Sequence, residues 1–231
     1  MATVTYYPNP NVESTSVDGY AFRSYGVGLG VAWGTLVAAD GTSSNDNSTT
    51  LYFFSMKSDT TSNQWRDMYR SIILFDTSAF DEADTITSAV LSVKGEAKAD
   101  ELATTPDLNI YSSNPASNTA VAAGDLDTLG STAFSSAIAY SSLSTTAYND
   151  FTLNASGLAA IDTAGISKFG TRNANRDVAN SSPTWGSNQE SYFYGASADT
   201  ASTTSDPKLV ITYTAAGAAG VPSSTLLFVG T

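Results

Sequence analysis

The sequence contains no cysteine and no histidine. Without cysteine the chain forms no disulfide, offers no thiolate nucleophile and cannot build the cysteine sites that hold structural zinc. Without histidine it cannot assemble a Ser-His-Asp or Cys-His catalytic group. The remaining chemistry is limited to carboxylate pairs, lysine- or tyrosine-assisted schemes, and oxygen ligands of the kind that Ca²⁺ prefers. We therefore expect a protein that is not an enzyme.

Positive charge is also scarce. Ten Lys and Arg residues stand against 22 Asp and Glu residues, so the formal net charge is -12. Such a charge repels the phosphate groups of nucleic acids and of anionic lipids, and we expect no nucleic-acid partner. The residues after Met1 have neither the basic nor the apolar part of a signal peptide, and no apolar run is long enough to cross a bilayer. The sequence thus predicts no signal peptide and no membrane insertion.

Hydroxyl side chains, in contrast, are abundant. Ser and Thr make up more than a quarter of the chain, whereas charged residues make up 14%. This composition suits strands with one solvated face, joined by polar turns. A short helical turn is predicted at residues 156–161, with Ser156 as its cap. The strand candidates, each bounded by turn-forming residues, are residues 3–7, 51–54, 68–76, 86–93, 108–111, 148–153, 166–171, 191–195 and 207–214.

This pattern predicts an all-β protein: an antiparallel jelly-roll β-sandwich with one short helical turn and a C-terminal extension. Residues 68–76 are apolar on both faces toward the end of the run, which is typical of a central strand. We divide the chain into residues 1–67, the N-terminal strands and loops of the sandwich, residues 68–214, the jelly-roll core, and residues 215–231, a linker and C-terminal arm.

Two of the three tryptophans lie in polar surroundings that suit a binding site. Trp185 is followed by Gly-Ser-Asn-Gln, and Trp65 is preceded by Ser-Asn-Gln. A flat indole ring can stack on a sugar ring while neighbouring amides bind its hydroxyl groups. We therefore predict a glycan-binding site at Trp185, Trp65, Asn188 and Gln189. The alternative is that these rings cap the core or lie in an oligomer interface, which applies most to Trp33.

The C-terminal end carries an apolar segment behind a linker of Ala and Gly. Leu226, Leu227, Phe228 and Val229 would form a strand prone to association if it were left exposed. We interpret this segment as an assembly arm that packs on a neighbouring chain, with packing on its own domain as the alternative. A homo-oligomer or another structural protein is the partner that this interpretation predicts.

Residues 69–78, Tyr-Arg-Ser-Ile-Ile-Leu-Phe-Asp-Thr-Ser, resemble a strand of the DNRLRE-type modules of bacterial surface proteins. The strand at 86–93, the helical turn around Leu158 and the closing strand at 207–213 follow in that family's order, so the resemblance covers about residues 68–214. These modules are similar to carbohydrate-binding jelly rolls. The resemblance implies a glycan ligand and allows a Ca²⁺ ion between Asp18 and Asp206 at a sandwich edge, but no other cofactor. The chain departs from the family in its extra N-terminal strands and in lacking a signal peptide.

The middle of the chain, including LNIYSSNPASNTA and SKFGTRNAN, is similar to predicted proteins of tailed-phage genomes. Together with the absent signal peptide and the apolar arm, this resemblance implies a structural protein of a bacteriophage virion. It would be a capsid decoration or a tail-attached jelly roll that assembles through its C-terminal arm. Its location would be the virion surface, or otherwise the outside of the cell. The alternative is a glycan-binding module that attaches to a bacterial cell surface or a polysaccharide.

Overall fold

The structure is a computed structural model, and it describes residues 1–216. Within these residues the chain consists mainly of antiparallel strands, which confirms the all-β prediction. The strands are β1 (Ala2–Tyr6), β2 (Asp18–Ser24), β3 (Ser43–Asn45), β4 (Thr50–Ser58), β5 (Trp65–Asp76), β6 (Thr85–Asp100), β7 (Leu108–Ser112), β8 (Tyr148–Thr152), β9 (Ile166–Asn173), β10 (Glu190–Ala196) and β11 (Lys208–Thr214), and the α-helices are α1 (Trp33–Val37) and α2 (Ala155–Ala159).

The strands form a hydrogen-bonded network in the order β1-β11-β6-β10-β4-β5-β2-β3, from which β7, β8 and β9 branch. The long strand β6 takes part in two layers, because its first part pairs with β11 and β8 and its last part pairs with β10. Strand β5 pairs with β2 along one edge and with β4 and then β9 along the other. Strands that change partners in this way fold the sheet over and enclose a core between its layers. The result is a β-sandwich.

Strand β5 is buried on both faces, as the sequence predicts for residues 68–76. Ile73 and Phe75 belong to the main core, whereas Ile72 and Leu74 belong to a second cluster that includes Leu126. The alternation of side chains along a strand places these two pairs on opposite faces. Strands β2 and β4 pair directly with β5, so the predicted N-terminal segment and the predicted jelly-roll core share one sheet.

The described residues contain more helix than the single turn that the sequence predicts. Helix α2 lies where it is expected, but the prediction of Ser156 as its cap is wrong. The cap is Asn154, whose Oδ1 accepts a hydrogen bond from the Gly157 N–H at 3.0 Å. Helix α1 was not predicted, because it is a single short turn inside a Gly-rich aromatic segment. Burial of Trp33 and Leu36, rather than intrinsic helix propensity, stabilises this helix.

A buried ionic cluster ties three helical turns to the sheet. Arg70 of β5 and Arg172 of β9 each donate two hydrogen bonds to the carboxylate of Asp177, at 2.7–2.9 Å. Arg70 also donates to the backbone carbonyl oxygens of Leu126 and Val37. Burial alone would raise the pKa of Asp177, but the charges and hydrogen bonds of the two guanidinium groups hold that pKa below its usual value. Each buried charge in this cluster therefore has a partner.

The last described strand, β11, ends at Thr214. The predicted assembly arm, formed by Leu226, Leu227, Phe228 and Val229, lies outside the described residues. The final residues that the structure does describe, Thr214, Ala215 and Ala216, are exposed.

Candidate ligand-binding surface

The structure does not present Trp65 for stacking on a sugar. Trp65 is the first residue of β5 rather than part of a loop, and it is only 3% exposed. Its ring meets that of Trp33 edge to face at 5.7 Å, and its backbone exchanges hydrogen bonds with Val31. The surface position predicted for Trp65 is wrong, because the core covers the indole that would have to stack on a sugar.

Trp185, Asn188 and Gln189 do lie together in one loop. Trp185 is half-buried, and its Nε1 donates a hydrogen bond to the backbone oxygen of Asp59 at 3.2 Å. The backbone N–H of Asn188 donates to that same oxygen at 3.3 Å, and the backbone N–H of Gln189 donates to Ser58 Oγ at 2.9 Å. The loop is thus fixed against the end of β4. Sugar binding at these three residues stays a prediction.

A different aromatic surface stands out on the sheet. Six rings from four adjacent strands lie on one face and contact one another in series, and we call them the tyrosine face. Tyr20 is largely buried and the other five are half-buried. The members are Tyr20 and Phe22 of β2, Tyr69 of β5, Tyr52 of β4, and Tyr192 and Tyr194 of β10.

Strand register brings these rings together. Phe22 lies opposite Tyr69, and their rings stack at 4.6 Å with an interplanar angle of 5°. Tyr52 lies opposite Tyr194 beside a bulge, with its ring 5.3 Å from that of Tyr194 and 5.1 Å from that of Tyr69. Tyr192 stacks on Tyr194 at 5.5 Å because residues two apart on a strand share a face. The rings form an unbroken row across the strands.

Charged and hydroxyl groups border one end of the tyrosine face. Lys57 lies opposite both Glu190 and Asp67, and its Nζ is 3.2 Å from Glu190 Oε2. Ser55 Oγ donates to Glu190 Oε1 at 2.8 Å, and Ser24 Oγ donates to Asp67 Oδ1 at 2.5 Å. The surface thus combines flat apolar rings with hydrogen-bonding groups at its edge.

Burial keeps the phenol groups of Tyr69, Tyr52 and Tyr192 neutral. It raises the pKa of Tyr69 strongly, helped by the negative charge of Asp67, and it also raises the pKa values of Tyr52 and Tyr192. The hydroxyl groups of these three residues therefore remain both donors and acceptors at neutral and moderately alkaline pH. The face can offer hydrogen bonds to an uncharged polar ligand.

The acidic groups in the turns are occupied by the protein's own backbone. Asp81 Oδ1 accepts a hydrogen bond from the Ala83 N–H at 2.9 Å. Asp125, which is buried, accepts from the N–H groups of Ala116 and Ala122 at 3.0 and 2.7 Å. Hydrogen bonds of this kind, from backbone N–H groups to a nearby carboxylate, stabilise turns.

The structure does bring Asp18 and Asp206 into electrostatic contact, as the resemblance to carbohydrate-binding jelly rolls implied. The residues do not fit a metal site, however. Throughout residues 1–216, no group of three or more acidic side chains is arranged to hold a metal ion. Calcium plays no part in the function that we derive for this protein.

Fold and surface together describe an all-β sandwich with an aromatic row on one sheet face. Comparison with known proteins adds no relative, since no family model matches the chain and no curated protein matches it. The relationship to DNRLRE-type modules and to phage proteins stays a prediction. Over the part of the chain that the structure describes, no helix is both long and apolar enough to span a bilayer.

Proposed function

We propose that this protein is a non-catalytic glycan-binding protein and that the tyrosine face receives the sugar chain. The supporting observation is the unbroken row of rings across β10, β4, β5 and β2. Five of the six rings are half-buried, so each presents part of its surface to solvent, and a contiguous aromatic patch of this kind is a feature of interaction sites. Tyrosine is well suited to this task because it offers a rigid contact area and a polar tip.

The chemistry of the face favours a sugar over other flat ligands. A pyranose ring has an apolar C–H face that packs on an aromatic ring, and hydroxyl groups around its rim that bind the phenols and Glu190. Nucleic-acid bases also stack on aromatic rings. Phosphate groups would be repelled, however, by the net charge of -12 and by the carboxylates of Glu190 and Asp67 beside the rings.

Electrophoresis of the protein through gels that contain soluble polysaccharides tests the proposal, followed by calorimetric titration with the matching oligosaccharide. We expect the double variant Tyr192→Ala/Tyr194→Ala to bind at least about tenfold more weakly, a loss of about 1.4 kcal/mol. Tyr213→Ala serves as the control, because Tyr213 is a half-buried strand tyrosine that contacts Phe80 outside the tyrosine face. Circular dichroism checks that each variant folds.

Two outcomes would count against the tyrosine face. If Trp185→Ala abolishes binding while the double tyrosine variant binds normally, the site lies in the loop of Trp185, Asn188 and Gln189. If no polysaccharide is retained at millimolar concentration, the protein is not a glycan-binding module.

Assembly is the second function that we propose, as a virion surface protein whose C-terminal arm packs on neighbouring chains. It is supported by the apolar run from Leu226 to Val229, which follows a linker of Ala and Gly. A truncation after Ala216 keeps β11 and the hydrogen bond from the Ala216 N–H to Asp84 Oδ1 at 2.8 Å. We expect the full chain to sediment as an oligomer and the truncated chain as a monomer. Equal masses for the two chains would contradict an assembly arm.

A further inference from the structure

A cleft of about 320 Å³ lies between two connections of the sandwich, and no residue of the tyrosine face lines it. The β1–β2 connection contributes Pro8 and Pro10, and the β10–β11 connection contributes residues 198–203 and Asp206. The lining is mostly apolar, with hydroxyl groups from Thr200, Ser202 and Thr203. Small-molecule sites have this size and this mixture of apolar walls and a few polar groups.

Hydrogen bonds hold the two connections together, so the cleft is already formed. The Asn11 N–H donates to Asp199 Oδ1 at 2.6 Å. The Ala198 N–H donates to the carboxylate of Asp18, at 3.0 Å from Oδ2. Within the β1–β2 connection, Asn9 Oδ1 accepts from the backbone N–H groups of Thr15 and Ser16 at 2.8 and 3.0 Å. Binding of a ligand would therefore not require the two connections to become ordered first.

The acids at this cleft lack the partners that buried charges normally have. Asp206 is only 2% exposed and forms no ion pair with a Lys or Arg of residues 1–216. Asp206 Oδ1 and Asp199 Oδ2 are buried without a hydrogen-bond partner. Leaving buried carboxylate oxygens unpaired is costly.

The nearby cations are engaged elsewhere. Lys94 Nζ donates to Ser205 Oγ at 2.9 Å, and Lys208 Nζ lies 3.9 Å from the centre of the Tyr148 ring. Asp177, in contrast to the acids of the cleft, has two guanidinium groups as partners. The missing partner of the cleft is a hydrogen-bond donor with positive charge.

We propose that this cleft is a second binding site, for a small hydroxylated ligand that carries an ammonium group, such as an amino sugar. The ammonium group donates to Asp206 and Asp199, the prolines pack on the C–H face of the ring, and the Ser and Thr side chains bind its hydroxyl groups. An organic cation fits better than a metal ion, because the described residues do not converge as a metal-ligand group. The site does not depend on the tyrosine face.

Binding at the cleft is expected to depend on pH. Burial, together with the charge of Asp199, raises the pKa of Asp206 to about 6. Burial raises the pKa of Asp18 to about 8, with the charges of Asp199 and Asp206 adding to the shift. Asp206 is therefore charged at pH 7.5 and protonated at pH 5, so an ammonium group binds better at the higher pH.

The other titratable groups around the cleft do not reverse the expected increase in binding from pH 5 to pH 7.5. Glu13 of the β1–β2 connection interacts with Asp199, and its pKa is raised by burial. Tyr148 of β8 interacts with Tyr7 and Asp206, and its hydroxyl donates to the backbone oxygen of Asp206 at 3.0 Å. Tyr148 has a raised pKa and stays neutral over this range.

The test is a two-dimensional NMR titration of the full chain with glucosamine, which is cationic, and with glucose, its neutral counterpart. We expect glucosamine to shift the backbone amides of residues 198–206 in a saturable way at pH 7.5, with at least tenfold weaker binding at pH 5. Glucose should shift them little. Asp206→Asn should lose binding at least tenfold, and Asp81→Asn, a change in an exposed turn, should bind like the wild type.

Several results would overturn the proposal: no saturable shift with glucosamine, equal binding of glucose, or full binding by Asp206→Asn. Saturable displacement of glucosamine by CaCl₂ would overturn it in favour of a metal site. The Asn side chain keeps the shape of Asp206 and removes an unpaired buried charge, so we expect this variant to fold. If its spectrum shows that it does not, Asp199→Asn takes its place in the same titration.

Discussion

At the scale of single residues, Asp177 and Asp127 show how differently two carboxylates near the same arginine contribute to stability. Asp177 is buried and accepts hydrogen bonds from both Arg70 and Arg172. Asp127 is 46% exposed, and its Oδ1 is 3.9 Å from Arg70 Nη1. Removing one member of a buried ion pair leaves its partners uncompensated, whereas an exposed pair contributes little because water screens it.

We therefore expect Asp177→Ala to lower the free energy of unfolding by about 3–5 kcal/mol, because two guanidinium groups would then face each other without a counter-charge. Asp127→Ala should cost less than about 1 kcal/mol. Urea denaturation followed by tryptophan fluorescence measures both. Similar losses in the two variants would mean that Asp177 does not hold the cluster together.

At the scale of secondary-structure elements, the loop between α1 and β3 packs against a 3₁₀ turn through a close backbone contact. Gly41, between α1 and β3, lies against the 3₁₀ turn Ala123–Asp127. A Cβ atom at Gly41 would overlap the backbone carbonyl of Ala123, which cannot rotate away as a flexible side chain could. Gly124, in that same turn, has open space around the position of a Cβ atom. Only the first glycine is required by packing.

Gly41→Ala should accordingly destabilise the protein by about 1–3 kcal/mol, the usual range for overpacking. Gly124→Ala, the matched control, should leave the unfolding midpoint nearly unchanged. Thermal unfolding monitored by circular dichroism compares the two variants with the wild type. A neutral Gly41→Ala variant would show that the loop before β3 moves freely away from the 3₁₀ turn.

At the scale of the whole molecule, two buried carboxyl groups with raised pKa values make stability depend on pH. The pKa values of Asp18 and Asp206 rise from 3.8 to about 8 and about 6 on folding. Groups with raised pKa values contribute their full stabilisation below the unfolded value, and this contribution is lost as the pH rises through the folded values. Asp177, whose pKa is lowered, acts in the opposite sense, and its contribution is lost in acid. Stability should therefore be greatest at mildly acidic pH.

The free energy of unfolding is expected to fall between pH 5 and pH 9. Asp18→Asn removes the larger of the two raised pKa values, so its profile should be flatter between pH 6 and pH 9 than that of the wild type. Asp81→Asn should follow the wild type, because Asp81 lies exposed in a turn. Urea unfolding at a series of pH values gives these profiles. A wild-type stability that rises over this interval would refute the assignment of buried, unpaired carboxyl groups.

The candidate sites were only partly predictable. Aromatic residues spaced two apart, as in Tyr20 and Phe22 or Tyr192 and Tyr194, are visible in the sequence and indicate one face of a strand. Nothing in that spacing tells which face the rest of the chain covers. Polar neighbours in sequence were also a poor guide to exposure, since the ring of Trp65 is buried despite them.

The sequence by itself determined the all-β class, the double-sided burial of β5 and the limits on chemistry set by the absence of cysteine and histidine. These follow from composition and from the period of side chains along a strand, which are local properties. Tertiary structure alone decided that four strands align their rings into the tyrosine face. It also placed Asp18 beside Ala198, residues 180 positions apart in the chain. Register and loop closure are properties of the whole fold, because each depends on pairings between distant segments that local patterning does not encode.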